Sequence, residues 1–327
     1  MSKAEIITKK RILIIGGTGT LGETMVNNFH SEQQITILSR DESKHWMMKI
    51  KYPQVQFIVG DMRDVQSIKM AILQTDPNII IINGALKHID ICEHNIKECL
   101  ETNILGVHNV VMTALELSPK NLDKVIFIST DKACNPVSVY GMSKAISERV
   151  LAEASIKSKS HCIFVCVRLG NLLNSSGSLI PKFVEIGNSE TKNEFQVTDA
   201  NMTRFFMTLD ECINLIKIAI QYGQSGETWI PVMHSFRIMD IAKFFSNKYG
   251  KPIKIVGVRP GEKIHEILVN ETEISRTEHK VIDGQGFYII KPCYKNYNYN
   301  DLKQSFTSIQ CANFSQLESI LCKLVPK

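Results

Sequence analysis

Residues 11–22 read Arg-Ile-Leu-Ile-Ile-Gly-Gly-Thr-Gly-Thr-Leu-Gly, an apolar strand-like run that passes directly into a glycine cluster. The cluster satisfies G-x-G-x-x-G counted from Gly17 and G-x-x-G-x-x-G counted from Gly16. Backbone without Cβ atoms turns tightly and lets a pyrophosphate approach the N-terminus of the next helix. Glycines also make ordinary turns, but this cluster follows a strand, precedes a helical pattern and lies near the start of the chain. That context selects dinucleotide binding, with Gly16, Thr18, Gly19, Thr20, Leu21 and Gly22 as candidate contacts.

Moving outward, further strand-like runs fall at residues 35–38, 55–59, 79–82, 125–128 and 162–167. Helical periodicity fills residues 95–117 and 140–158 between them. Several of the runs are apolar throughout, as strands covered on both faces of a parallel sheet are. The alternation predicts an α/β fold with a doubly wound parallel Rossmann sheet and a smaller C-terminal substrate-binding lobe. Residues 1–170 are expected to form the cofactor domain, with 205–230 folding back onto it. Residues 171–204 and 231–327 are expected to form the lobe. Helical periodicity returns at 208–222 and 239–249, residues 191–201 read as polar and irregular, and 258–263 read as a Pro-Gly turn.

The 327 residues carry 38 basic and 33 acidic side chains, a formal charge of +5. That excess is too small and dispersed for a nucleic-acid binder. No run reaches the ~18 apolar residues of a membrane helix, and no apolar core follows the charged residues 1–10. A cytoplasmic protein is expected, with no membrane and no nucleic-acid partner. The nine cysteines include no C-x-x-C pair and read as reduced thiols, so no metal is expected.

An NAD-specific site places an acid at the end of the second strand, to hold the ribose 2′-hydroxyl. Here that position reads Ser39-Arg40, followed by Asp41 and Lys44. A guanidinium suits a 2′-phosphate, so NADP is the expected cofactor, with Ser39, Arg40 and Lys44 as contacts. Asp61 and Met62, after the third strand, are placed to meet the adenine, the lesser alternative for Asp61 being a cap on the next helix. Ser129-Thr130-Asp131-Lys132 follows the strand at 125–128, and Tyr140 and Lys144 lie one helical turn apart. An ammonium beside a phenol is expected to lower its pKa, and such a tyrosine can take a sugar hydroxyl proton.

In these segments the chain resembles the extended short-chain dehydrogenase/reductases, and specifically their inverting UDP-N-acetylglucosamine 4,6-dehydratase (5-epimerising) branch. The matching pieces are residues 16–22, Ser39-Arg40-Asp41, Ala85-Leu86-Lys87-His88, Thr102-Asn103, 129–136 (STDKACNP) and 140–144 (YGMSK). Further on come 167–171 (VRLGN), 177–181 (GSLIP), 202–206 (MTRFF) and 259–266 (RPGEKIHE). The resemblance implies that Thr130, Tyr140 and Lys144 form an oxidoreductive triad, while Asp131 and Lys132 handle water loss and the C5 proton. It implies substrate contacts at Lys87, Asn171, Thr198, Met202, Arg204, Arg259 and Glu262, a cofactor contact at Ala85, a UDP-N-acetylglucosamine substrate and a homo-oligomer. Two departures stand out. Ser175-Ser176-Gly177-Ser178 replaces Ser-Arg-Gly-Ser, and Asn83-Gly84 replaces small alanines. A UDP-sugar 4-epimerase would not need Asp131-Lys132, a retaining dehydratase would show Asp-Glu, and an NADP-sensing module would lack Tyr140 or Lys144.

Overall fold

The computed structural model describes residues 9–158, 161–175, 177–294, 297, 299, 301–310 and 314–325. Ser176, one of the two departures, lies outside the described residues, as do residues 1–8.

In chain order the first half runs β1 (Arg11–Ile15), α1 (Thr20–Phe29), β2 (Gln34–Ser39), α2 (Glu42–Lys51), β3 (Gln56–Val59), α3 (Val65–Thr75) and β4 (Ile79–Ile82). It continues through α4 (Ile89–His94), α5 (Ile96–Cys99), a π-helical turn at Leu100–Leu105, α6 (Gly106–Leu117), β5 (Lys124–Thr130), α7 (Val139–Lys157) and β6 (Ile163–Leu169). The strands stack in the order β3-β2-β1-β4-β5-β6, with every neighbouring pair parallel. Alternation within β1 shows why the run is apolar throughout. Ile12 and Ile14 enter the core under α1, while Leu13 and Ile15 enter the opposite core, which α3 and α6 help to build. Strand order reverses between β1 and β4, so the carboxyl ends there open a crevice for a ligand.

The second half adds β7 (Asn171–Leu172), α8 (Leu179–Asn188), β8 (Phe195–Val197), β9 (Thr203–Met207), α9 (Leu209–Tyr222), β10 (Thr228–Pro231), β11 (Ser235–Arg237) and α10 (Ile238–Tyr249). Next come β12 (Ile253–Ile255), β13 (Ile267–Val269), β14 (Thr277–Ile282), β15 (Gln285–Ile290), β16 (Phe306–Thr307) and α11 (Phe314–Leu324). Helix α9 starts in a capping box, Thr208 with Glu211, and packs Cys212, Ile213 and Ile216 under the large sheet. Strand β10 then extends that sheet parallel to β6. A separate core, built on Phe183, Phe195 and Phe245, joins α8, β8, α10 and α11.

Three local expectations change. The 191–201 stretch is not wholly irregular: Phe195 and Val197 are buried and β8 pairs with β12. The β14–β15 hairpin falls in the stretch expected to form the lobe, yet it continues the large sheet, β15 pairing antiparallel with β10. Phe287 and Ile289 supply the reason, since both are buried in the main core. Finally, the periodic stretch 95–117 is broken by the π turn, which carries Thr102 and Asn103.

Candidate active site

A cleft of about 720 Å³ opens at the switch point, within the size range of ligand sites. Gly16, Thr18, Gly19, Thr20 and Leu21 line it, together with Ser39, Arg40, Lys44, Asp61, Met62 and Ala85. Thr130, Lys132, Tyr140, Lys144, Lys87 and Asn171 line it as well, whereas Asp131 does not. Gly22 does not line it. A Cβ there would lie 2.2 Å from the Gly17 carbonyl oxygen, so its role is to let α1 close onto the loop. Gly19, the N-cap of α1, receives no side-chain cap and has open space where its Cβ would be. Those features leave the first helical N–H groups facing room for an anion.

The Asn83-Gly84 departure has a structural reason. Asn83 Nδ2 donates to the Gly16 carbonyl at 2.8 Å, and a Cβ on Gly84 would lie 2.9 Å from Met62 Sδ. Asn83 pins the glycine loop from β4. Arg40 reaches Asp61 at 3.7 Å, and Arg63 Nε donates to Asp61 at 2.8 Å. Burial raises the Asp61 pKa, but Arg63 and then Arg40 outweigh it and hold the carboxyl below its usual value. Asp61 also accepts from the Arg63 backbone N–H in the turn before α3, but it does not cap that helix: Asp64 does, accepting from the N–H groups of Gln66 and Ser67.

Ser138 caps α7 by accepting from Gly141 N–H at 3.0 Å, which presents Tyr140 and Lys144 from the first turns. Both are buried. Lys144 Nζ donates to the Ile128 carbonyl at 2.8 Å and lies 4.4 Å from the centre of the Phe127 ring. Burial pulls its pKa down to about 8, against the opposing charge of Glu148. The expected depression of Tyr140 is not found. Burial, then the charge of Asp131, pushes the phenol up, while a hydrogen bond with Thr130 opposes them. The lysine's ammonium is spent on Ile128 and Phe127.

Asp131 is fully buried at the end of β5. Its Oδ1 accepts from Thr130 Oγ1 at 2.9 Å and from Lys132 Nζ at 3.0 Å, while its buried Oδ2 has no partner among the described residues. Lys132 Nζ also donates to Asn171 Oδ1 at 3.0 Å, so β5 and β7 meet at one ammonium. Asn103 connects the site from behind. It accepts from Leu86 N–H at 2.8 Å and donates to the Leu86 carbonyl and to Ser143 Oγ, at 2.9 and 3.0 Å. The π turn widens the helix where this side chain must reach both β4–α4 and α7.

The remaining expected substrate contacts lie outside the cleft wall. Arg204 is buried and donates to the carbonyls of Thr203 and Ile264, so it ties β9 to the 259–266 segment. The Met202 side chain is 4% exposed in the small core with Phe206 and Ile238, which makes it a packing residue, and Thr198 is half-buried in the loop after β8. Arg259 and Glu262 pair at 2.5 Å. Burial raises Glu262, yet the Arg259 contact holds its carboxyl below the usual value. Lys263 Nζ donates to the Cys134 carbonyl at 2.9 Å, anchoring this turn to the 129–136 segment.

Sequence reasoning passed over Arg168 within VRLGN and His45 within α2. Arg168 is buried and binds Glu148 at 2.8 and 2.9 Å, Glu273 at 2.8 and 2.9 Å, and the Leu268 carbonyl at 2.8 Å. Its signal was a charge inside an otherwise apolar strand.

A switch-point cleft behind a glycine loop, with tyrosine and lysine one turn apart on its wall, defines an extended short-chain dehydrogenase/reductase scaffold. A family model described as "Polysaccharide biosynthesis protein" matches residues 12–284, and the chain belongs to that family. The inverting UDP-N-acetylglucosamine 4,6-dehydratase of Campylobacter jejuni is 35% identical over 297 residues, 89% of this chain and 85% of the relative. A UDP-glucose 4-epimerase of Rickettsia canadensis is 33% identical over 301 residues, again 89% and 85%. Among solved structures, Pen from Bacillus thuringiensis superposes with a TM-score of 0.86 at 28% identity, covering 96% of this chain and 97% of that one. No helix among the described residues is long and apolar enough to cross a membrane.

Proposed function

We propose that this chain is an NADP-dependent UDP-N-acetylglucosamine 4,6-dehydratase that inverts C5. The observation that carries the proposal is the Thr130–Asp131–Lys132 arrangement: a buried carboxylate with one oxygen saturated and one unpartnered, beside an ammonium on the cleft wall. Epimerisation at C4 requires neither group. When bound, NADP supplies the hydride acceptor for C4 and, once reduced, the hydride donor for C6. Tyr140 takes the C4 hydroxyl proton, and its Thr130 hydrogen bond favours the phenolate. The C4 ketone acidifies C5–H, which the neutral Lys132 amine removes once its ammonium has passed a proton across the 3.0 Å contact to Asp131. Asp131, in the acid form that this transfer produces, gives the proton on to the departing C6 hydroxyl, which leaves as water, and its burial keeps solvent from competing for the proton. Once C6 has received the hydride, C5 takes a solvent-derived proton on the opposite face, which inverts it.

Residues suited to the cofactor are in place: the uncapped α1 N-terminus for a pyrophosphate and Arg40 with Lys44 for a 2′-phosphate. Arg40→Ala is expected to remove most of the preference for NADP⁺ over NAD⁺, about tenfold or more in the ratio of dissociation constants. Equal affinities in the parent protein would refute the cofactor assignment. For the reaction, deuterium placed at substrate C4 should arrive at product C6, and heavy water should label C5. NMR should show an L-arabino-configured 4-keto-6-deoxy product. A C4 epimer without water loss would establish the epimerase reading, to which the Rickettsia relative points. A product with D-xylo configuration at first appearance would exclude inversion.

A further inference from the structure

Helix α2 buries one polar side chain that the reaction does not use. His45 is 5% exposed, its ring lies 5.1 Å from that of Phe57, and its Nε2 is 2.6 Å from Ser39 Oγ. Ser39 Oγ is in turn 3.3 Å from Thr18 Oγ1, and both hydroxyl-bearing residues line the cleft next to Arg40. His45 Nδ1 is buried with no partner. Burial also keeps the imidazole neutral by lowering its pKa, against the opposing charge of Asp41. A neutral ring carries one N–H. Placing it on Nδ1 would orphan a buried donor, which costs more than leaving a lone pair unmet. Hydrogen-bond accounting therefore puts the proton on Nε2, which donates to Ser39.

This direction fixes the two hydroxyls beyond it. If Ser39 donates to Thr18, the Thr18 proton is left for the cleft; if Thr18 donates to Ser39, the Ser39 proton is left. Had His45 accepted instead, Ser39 would spend its proton on the ring and Thr18 would spend its own on Ser39. We propose that His45 is a specificity-determining positioning residue, which makes the Ser39–Thr18 pair a hydrogen-bond donor toward an anionic 2′-phosphate on the cofactor ribose. A phosphate oxygen can only accept from such a pair, whereas an NAD-type site offers an acceptor to the 2′-hydroxyl. The inference rests on the NADP reading and deepens it.

Dissociation constants for NADP⁺ and NAD⁺, and for 2′,5′-ADP and 5′-ADP as fragments, test it without reference to turnover. The parent should favour the 2′-phosphorylated partner of each pair. His45→Phe keeps the ring on Phe57 but removes the donor, and should cut both ratios about tenfold, the scale of one hydrogen bond to a charged group. His45→Gln can still donate to Ser39 and should restore most of the loss. Ser39→Ala should lower the ratios by a similar factor, and adding His45→Phe to it should change them little further. A preference that survives His45→Phe, or survives Ser39→Ala if the histidine variant does not fold, overturns the role of His45 and leaves the NADP assignment standing. A parent ratio near one overturns both.

Discussion

Two buried charge clusters meet the end of β5, where Ser129 bonds to one and Thr130 to the other, and they are built to opposite standards. In the Glu148–Arg168–Glu273 cluster the guanidinium donates to both carboxylates and to a backbone carbonyl, and Ser129 Oγ adds a bond to Glu148 at 2.6 Å. In the Thr130–Asp131–Lys132 cluster one carboxylate oxygen takes two donors and the other takes none. Burying a charge is tolerated when partners surround it, and an unmet polar atom in the interior costs about 1–3 kcal/mol. The first cluster therefore joins β6, α7 and the 268–273 segment mechanically. The second retains an unmet carboxylate oxygen on a fully buried residue, flanked in sequence by Thr130 and Lys132, which line the cleft. Completeness of hydrogen bonding separates the two clusters, although both are nearly dry, and it matches the split between scaffold and chemistry that the proposed function makes.

The largest effect should follow from the incomplete cluster. Lys132→Met keeps most of the stem and removes the amine, and is expected to lower the rate of dehydration by about 10³-fold or more, with NADP⁺ affinity and unfolding midpoint close to the parent. A fast variant would make Lys132 a mere partner of Asp131. Asp131→Asn should lower turnover by about 10²–10³-fold while leaving stability within about 1 kcal/mol of the parent or above it, since a buried charge is lost. If it instead unfolded the protein, the contrast between the clusters would fail, and Asp131 would belong with the scaffold.

How much of this could be read beforehand depends on whether a residue's partner is near it in sequence. The glycine loop, Ser39-Arg40 and the Tyr140–Lys144 pair declare themselves within a few positions of one another, and all lie on one cleft. The parallel strands were legible because apolar runs on both faces leave little choice of environment. Arg168 was visible as part of a motif, but its partner Glu273 is 105 residues away, and nothing local connects them. His45 sits in α2 beside Trp46 and Met47, which are about 70% exposed, so helical pattern gave it no mark of burial. The Tyr140 shift was misjudged because spacing put Lys144 on the same face and could not show its ammonium bound to Ile128. Similarly, Met202 carries no sign in sequence of packing against Phe206 and Ile238.

The complete cluster should fail through stability rather than chemistry. Arg168→Leu leaves Glu148 and Glu273 buried without their cation and is expected to cost about 3–5 kcal/mol in unfolding free energy, measured by urea titration at pH 7. Any protein that remains folded should keep its NADP⁺ affinity. A loss below 1 kcal/mol would show that water reaches the carboxylates, contrary to their burial.

The smallest effect is the pH dependence of that loss, and its sign is fixed by Glu273. In the parent, burial raises the Glu273 carboxyl, but the Arg168 charge and hydrogen bonds outweigh it and hold the pKa below the usual carboxylate value. A folded pKa below the unfolded one contributes stability that is present above the unfolded pKa, about 4.3, and is lost as pH falls through the folded value. The parent should therefore lose stability as the solution is acidified below about pH 4.5. In Arg168→Leu the lowering partner is gone and burial acts alone, so the carboxyl is raised and protonation relieves the penalty. Acidification then stabilises the variant relative to the parent, and the gap measured at pH 7 should narrow by at least about 1 kcal/mol on the way to pH 4. Parallel titration curves for the two proteins would mean that Arg168 does not set the protonation of Glu273, and that the cluster is held by packing and backbone bonds instead.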